Sequence, residues 1–150
     1  MIVVVLRHAD RTPDPVDGLT AAGQERAKLL ARMLSESGVS VAFRSDAVRT
    51  LKTLEPLQQR LGNALTIKKI GAQQGVDEHV RATVQAVKSL PPQAVAVVVG
   101  HSDTAVGIVE GLGGGNVGTI GANEFDKLFV LIIDQAGAAT LLKLRYGAAT

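Results

Sequence analysis

Apolar residues along this chain come in short runs that alternate with longer stretches of mixed character. Two of the runs, Ile2 to Leu6 and Val95 to Val99, consist mostly of β-branched residues, which predicts buried strands. Shorter runs predict two further strands and, near residue 150, a hairpin that closes around Asp134 to Gly137. The two single strands cover Ser40 to Phe43 and Leu65 to Ile70, and the two strands of the hairpin cover Leu128 to Ile133 and Ala139 to Leu144.

The stretches between the strands carry apolar residues at helical spacing. Thr20 can cap the first helix, and either Ser45 or Asp46 can cap the second, which Gly62 ends. Strands that alternate with helices predict an α/β fold, a three-layer α/β/α sandwich with a mostly parallel sheet, in a single domain of residues 1–150. The predicted helices are Ala21 to about Ser37, a helix after Asp46 that reaches Leu61, Asp77 to Leu90, and Ser102 to Leu112.

Composition excludes several classes of protein. Hydrophobic residues make up 46% of the chain, charged residues 20% and aromatic residues 3%, and the formal net charge is +2. Without a Lys/Arg run and with few aromatic residues to stack on bases, a nucleic-acid partner is not expected. No run is long enough to span a membrane or to form a signal-peptide core, so we expect no membrane partner and a cytoplasmic location.

Metal and cofactor sites are also not expected. The chain has no Cys and no pair of His at ligand spacing, so no metal site is predicted. Gly113, Gly115 and Gly118 match the spacing of a dinucleotide-binding loop, but they follow a predicted helix rather than a strand, and no Gly-Lys-Ser/Thr is present. We therefore expect no cofactor.

Two of the three histidines stand at the ends of the two most apolar predicted strands. His8 follows the first of these strands directly after Arg7, and His101 follows the other after Gly100. In open α/β sheets, ligand chemistry collects at the carboxyl ends of the strands. This placement predicts a catalytic site that contains both histidines.

Four segments follow one another in this order: Arg7 to Pro13, Leu19 to Gly23, the Ser-x-x-x-Arg-x-x-x-Thr pattern of Ser45 to Thr53, and Val99 to Thr104. Taken together, they resemble the histidine phosphatase (phosphoglycerate mutase-like) superfamily. The segments span nearly the whole chain, and the length of the chain is closer to that of the small bacterial phosphohistidine phosphatases. Arg11-Thr12-Pro13 looks instead like the acid phosphatase branch, so the branch stays open, and Ala9 stands where the family usually has glycine.

The resemblance implies a metal-independent phosphatase that works through a phosphohistidine on His8. Arg7 and Arg49 would bind the phosphate as forked, permanently charged donors. His101, when protonated, would stabilise the phosphoryl oxygens in the transition state. Arg11 is a further phosphate-binding candidate, although a solvated loop position explains it equally well.

The proton donor for the leaving group is the most open assignment. Glu78 is preferred over Asp77, and Asp103 is a third candidate, whereas a phosphohistidine substrate needs no strong acid. His79, without visible partners, is expected at the surface. The substrate is a small phosphorylated molecule or a phosphoprotein, and the oligomeric state is open. Two other functions remain: a mutase-type phosphoryl transferase and a non-catalytic, phosphate-binding regulatory domain.

Overall fold

The computed structural model describes residues 1–150 and contains one six-stranded sheet with the strand order β3-β2-β4-β1-β5-β6. The four strands β3, β2, β4 and β1 are parallel, whereas β5 runs antiparallel to both β1 and β6. The mostly parallel sheet and the closing hairpin are confirmed. The strands are β1 Ile2–Arg7, β2 Val41–Arg44, β3 Thr66–Lys69, β4 Val95–Gly100, β5 Lys127–Ile133 and β6 Ala139–Arg145.

Helices cover both faces of the sheet, as the predicted α/β/α sandwich requires. One buried cluster joins Val4 and Leu6 of β1 to leucines of α1 and α2, and the other joins Val3 and Val5 to α3 and α4. Because side chains alternate across a strand, β1 contributes to both clusters and is buried on both faces. The helices are α1 Ala21–Leu34, α2 Val48–Leu61, α3 Val76–Lys88 and α4 Ser102–Val109.

Three of the four helices end two or three residues before the predicted position. The helix α1 ends at Leu34 rather than near Ser37, α3 at Lys88 rather than Leu90, and α4 at Val109 rather than Leu112. The helix α4 ends at Val109 and continues as a π turn over Glu110–Gly114, where Gly113 has a φ of +94°. Glycine tolerates this left-handed backbone, so the run of glycines permits the distortion. None of the helices is long and apolar enough to cross a membrane.

The register of the parallel strands brings three strand ends to one edge of the sheet. Arg7 of β1 lies opposite Gly100 of β4, and Arg44 of β2 lies opposite Val99. His8, Ser45 and His101 each follow one of these strands. The candidate residues therefore meet at the carboxyl edge of the sheet, where α/β proteins bind ligands.

The start of α1 packs against the loop after β1 through a contact that only glycine allows. A Cβ atom on Gly23 would lie 2.1 Å from the carbonyl oxygen of Asp10. The backbone N–H of Thr20 donates to this same oxygen at 3.0 Å, and the Thr20 side chain caps α1 at the N–H of Gly23. The Leu-Thr-x-x-Gly segment thus fixes the backbone two residues after His8.

Candidate active site

His8 is held in one tautomer by the backbone. Its side chain is buried, with 2% of the residue exposed, and Nδ1 lies 2.8 Å from the carbonyl oxygen of Ala9. A carbonyl oxygen only accepts hydrogen bonds, so Nδ1 carries the proton and donates it. The lone pair is therefore on Nε2, as nucleophilic attack on phosphorus requires.

The surroundings of His8 keep its imidazole neutral. Burial lowers the pKa of His8 to about 3, the positive charges of Arg7 and Arg49 act in the same direction, and the hydrogen bond to Ala9 opposes them. Neutral imidazole is the form with a free lone pair. At neutral pH the ring is thus ready to attack without first losing a proton.

Arg7 presents only part of its guanidinium to the site. Nη1 donates to the carbonyl oxygens of Gly121 and Glu124, both at 2.9 Å, and the Phe125 ring centroid lies 4.1 Å from the central carbon. Nε is buried and has no hydrogen-bond partner. Burial, and then the charges of Arg11 and Arg49, lower the pKa of Arg7. An anion at Nε would satisfy this donor and balance the clustered positive charge.

Arg49, in the first turn of α2, has the same kind of free donor. Nη1 donates to Asp17 Oδ1 and Nη2 to His101 Nδ1, both at 3.2 Å, whereas the buried Nε has no partner. Buried donors without partners are uncommon because they lose their bonds to water. Three arginines, Arg7, Arg44 and Arg49, have such an Nε. Arg7 directly precedes His8 and Arg49 contacts His101, so these two donors indicate a place for a ligand that carries acceptor oxygens.

His101 lies beside His8, with the ring centroids 5.3 Å apart. Its Nδ1 faces Arg49, and its Nε2 lies 2.8 Å from the hydroxyl oxygen of Ser45. Burial and the charge of Arg49 lower the pKa of His101 to about 4. The imidazole is thus neutral at neutral pH without a ligand, and the protonated form expected from the sequence would need a bound dianion to stabilise it.

The Ser-x-x-x-Arg-x-x-x-Thr spacing has a direct structural reason. Arg49 and Thr53 lie one helical turn apart, and the Thr53 hydroxyl donates to the carbonyl oxygen of Arg49 at 2.8 Å. The same hydroxyl accepts the backbone N–H of Ala9 at 2.9 Å. Thr53 therefore connects the loop that carries His8 to the helix that carries Arg49.

Asp17 caps α2, a role that sequence reasoning assigned to Ser45 or Asp46. Its carboxylate accepts the N–H of Val48 at 2.8 Å and that of Arg49 at 3.0 Å, besides pairing with the Arg49 side chain. The N-cap position itself is Ala47, which has no side-chain acceptor. Both proposed caps were wrong, because the acceptor comes from a loop 31 residues earlier, which no local pattern could indicate.

We expect Asp17→Ala to lower stability by about 0.5–2 kcal/mol at neutral pH, the usual contribution of an N-cap. Burial alone would raise the pKa of Asp17, but the N–H groups of Val48 and Arg49 and the Arg49 side chain outweigh it and lower this pKa. The contribution is present above the unfolded-state pKa and is lost as pH falls through the folded-state pKa. Thermal unfolding at several pH values measures this.

The matched control is Asp14→Ala, which removes an 88% exposed carboxylate of the same loop that pairs with Arg11. This variant should unfold close to the wild-type temperature at every pH. If both variants are equally destabilised, or if the Asp17→Ala deficit persists in acid, the capping interpretation is wrong.

Two of the predicted site residues form ion pairs with neighbours in their own segments. Arg11 pairs with Asp14 at 2.5 Å, and its Nε donates to the carbonyl of Thr12, so these two donors are engaged within its own loop. Glu78 forms an exposed ion pair with Arg81 at 2.6 Å, which lowers the pKa of Glu78. A general acid needs a raised pKa, so the lowered pKa of Glu78 does not fit the role of proton donor.

The other two candidates for the proton donor stand in the first turns of α3 and α4. Asp77 is exposed at the start of α3, and Asp103 accepts the backbone N–H of Thr104 at 2.8 Å. His79, expected at the surface, is buried, with 3% exposed, and its Nδ1 lies 3.1 Å from the carbonyl oxygen of Gly71. The surface prediction was wrong because the partner is a backbone group of the preceding loop.

Comparisons with known proteins agree with this geometry. The family model of the histidine phosphatase superfamily (branch 1) matches residues 6–70. The protein histidine phosphatase SixA, complexed with tungstate, superposes with a TM-score of 0.72 at 19% identity, covering 97% of each chain. A mycobacterial glucosyl-3-phosphoglycerate phosphatase gives 0.67 at 16% identity over 99% of each chain.

A third similar structure comes from Escherichia coli, a protein to which α-ribazole-5′-phosphate phosphatase activity is provisionally ascribed. It gives a TM-score of 0.73 at 17% identity and covers 100% of this chain and 99% of its own. No curated protein sequence matches the chain. The resemblance is thereby confirmed: this chain has the fold of the histidine phosphatase superfamily over its length and the superfamily's branch 1 signature over residues 6–70.

Proposed function

We propose that this protein is a phosphatase that transfers a phosphoryl group to Nε2 of His8 and then to water. One observation carries the proposal: the free Nε2 of His8 lies in a cluster with two arginines whose buried Nε groups have no partner. A nucleophile beside unsatisfied cationic donors fits a phosphoryl substrate. The similarity to SixA and to other phosphatases supports the same class of reaction.

The first step forms a bond between phosphorus and Nε2 of His8 while the bond from phosphorus to the leaving group breaks. The leaving group keeps the electron pair of the broken bond. Arg7 and Arg49 stabilise the charge on the phosphoryl oxygens during the transfer. In the second step water attacks phosphorus, the electron pair of the P–N bond returns to Nε2, and the proton from water goes to the released phosphate.

These charges come from the protein itself, so we propose that the reaction needs no metal ion. The guanidinium groups of Arg7 and Arg49 carry the positive charge that a phosphoryl dianion needs. Activity should therefore survive a chelator.

The leaving group determines which substrates suit this site. The carboxylates around the site already have partners: Asp10 pairs with Arg26 at 2.7 Å and Asp17 with Arg49 at 3.2 Å, and Asp103 accepts the backbone N–H of Thr104 at 2.8 Å. None of them is therefore positioned by a contact typical of a general acid. Without a general acid, an alkoxide leaves poorly, whereas the imidazole of a phosphohistidine needs less help. We therefore propose phosphohistidine on a protein or peptide as the preferred substrate over alkyl phosphates.

Phosphate release from three substrates tests this proposal: a phosphohistidine peptide, p-nitrophenyl phosphate and an alkyl phosphate. General acid help is worth about 10²–10⁴-fold, so we expect the alkyl phosphate to react slower than the other two by a factor in this range. Glu78→Gln should leave all three rates within about twofold, as should the control Glu55→Gln, which breaks a similar exposed pair with Lys52.

Three outcomes would contradict the proposal. A selective loss on the alkyl phosphate in Glu78→Gln would restore Glu78 as the acid. No release from any substrate, with tight phosphate binding, would favour the regulatory domain. Transfer of the phosphoryl group to a second substrate molecule instead of water would favour the mutase alternative.

A further inference from the structure

The proposed mechanism gives no role to the buried hydroxyl of Ser45. Ser45, which follows β2, is fully buried, and its Oγ contacts three groups. Nε2 of His101 lies at 2.8 Å, the hydroxyl oxygen of Thr50 at 3.2 Å, and the backbone nitrogen of Ala47 at 3.2 Å. The Ser45 hydroxyl has a single proton, so it can donate to only one of these three partners and must accept from any other.

The direction of the hydrogen bond to His101 follows from Arg49. A guanidinium can only donate, so Nδ1 of His101 must accept the bond from Arg49 Nη2 at 3.2 Å. A neutral imidazole carries one proton, and that proton is therefore on Nε2. It follows that Nε2 donates to the Ser45 oxygen.

The direction of the remaining bonds follows in turn. The Thr50 hydroxyl donates to the carbonyl oxygen of Ala47 at 2.8 Å. Its own oxygen is then free to accept, and the Ser45 hydroxyl donates to it, since its other two neighbours both donate to Ser45. This arrangement gives a partner to Arg49 Nη2, to both nitrogens of His101 and to the hydroxyls of Ser45 and Thr50. The Thr50 hydroxyl also lies 3.2 Å from the carbonyl oxygen of Ser45, and donation to that oxygen leaves the direction of the other bonds unchanged.

We infer that Ser45 is a positioning residue for His101, supported by Thr50: it keeps a proton on Nε2 and so leaves Nδ1 as the nitrogen that faces Arg49 and the phosphoryl group. The benefit to catalysis rests on the proposed function, but the arrangement itself does not. When a dianion binds, Nδ1 takes up a proton and donates it to an anion oxygen, while Nε2 keeps its bond to Ser45. Arg49 Nη2 then turns from His101 to the anion.

Charged and titratable groups around His101 act on this proton uptake in opposite directions. The positive groups oppose it, Asp103 favours it, and a bound dianion adds the negative charge that the ligand-free site lacks. His8 is the competing acceptor, because its Nε2 also faces the site. The groups concerned are Arg7, His8, Arg49, His79 and Asp103.

Nitrogen NMR of the imidazole rings, with and without sulfate, tests the arrangement without any turnover. The chain has three histidines, and a His101→Gln spectrum assigns the signals. In the free wild type at neutral pH we expect a single neutral tautomer of His101 with the proton on Nε2. Sulfate is a dianion at neutral pH, and its binding should add a proton at Nδ1 of His101. Because binding then takes up one proton, the affinity for sulfate should fall about tenfold for each unit by which the pH rises.

Variants separate positioning from general packing. Ser45→Ala should give a mixture of His101 tautomers and bind sulfate about tenfold more weakly at neutral pH, a loss typical of one buried hydrogen bond. Ser45→Thr, which keeps the hydroxyl, should restore both properties. Thr50→Val should also disturb the tautomer, and it serves in place of Ser45→Ala if that variant does not fold. Ser37→Ala, which removes a hydroxyl bonded at the end of α1, should change neither.

Three results would overturn the inference: a proton on Nδ1 in the free wild type, sulfate-linked protonation of His8 rather than His101, or a folded Ser45→Ala with an unchanged His101 tautomer. None of these depends on whether the protein hydrolyses phosphate. Conversely, an absence of turnover together with the expected tautomer would contradict the proposed function and leave the role of Ser45 intact.

Discussion

Replacing His8 with asparagine should reduce phosphate release at least about 10³-fold, as expected for loss of a nucleophile. Asparagine has an N–H group close to the position of Nδ1, so it can keep the hydrogen bond to the Ala9 carbonyl that holds this side chain. It has no counterpart of Nε2, the atom that attacks phosphorus. The change thus removes the reactive atom and retains the local backbone contact. Steady-state turnover and thermal unfolding measure the two effects separately.

The control is His79→Asn, which makes the same substitution at a second buried histidine that bonds a backbone carbonyl. This variant should keep most of its activity. In rapid-quench experiments with labelled substrate, the wild type should hold an acid-labile, base-stable phosphate, and His8→Asn should hold none. Label on a serine or an aspartate, or equal losses in the two variants, would contradict the phosphohistidine mechanism.

Arg49→Lys should lower kcat/KM about 10²–10³-fold, the range found when one donor to a developing oxyanion is removed. Arg49 serves Asp17, His101 and the proposed phosphoryl group with three different nitrogens. A lysine offers a single charged nitrogen and cannot reach all three at once. Initial rates over a range of substrate concentrations give this value.

Arg11→Lys is the matched change in the neighbouring loop. Because Arg11 pairs with Asp14, we expect less than a tenfold loss in this variant. A loss as large as that of Arg49→Lys would return Arg11 to the phosphate-binding set. A small loss in Arg49→Lys would show that the unpartnered Nε does not face the substrate.

Much of this fold is visible in the sequence because its strands and helices are marked locally. The β-branched runs of β1 and β4 carry enough buried surface to be recognised alone, and His8 and His101 directly follow them. Arg49 was found through its spacing to Ser45 and Thr53. These residues are positioned by their own strand or helix, so a local pattern predicts where they lie.

Residues positioned by contacts distant in sequence could not be predicted in this way. Asp17 reaches across 31 residues to cap α2, and His79 is buried against a loop carbonyl. Glu78 is the acid preferred from the sequence, but its ion pair with Arg81 lowers its pKa, whereas a general acid needs a raised pKa. The single domain, the cytoplasmic location and the roles of the site residues stay predictions.

The free donors of Arg7 and Arg49 also bear on how the reaction ends. In the proposed reaction both buried Nε groups bind the phosphoryl group of the substrate, and inorganic phosphate offers them the same oxygens. Binding that does not distinguish substrate from product contributes little to turnover and slows release. The protein should therefore be subject to product inhibition, with its rate in a cell governed by the free phosphate concentration as well as by the supply of phosphorylated substrate.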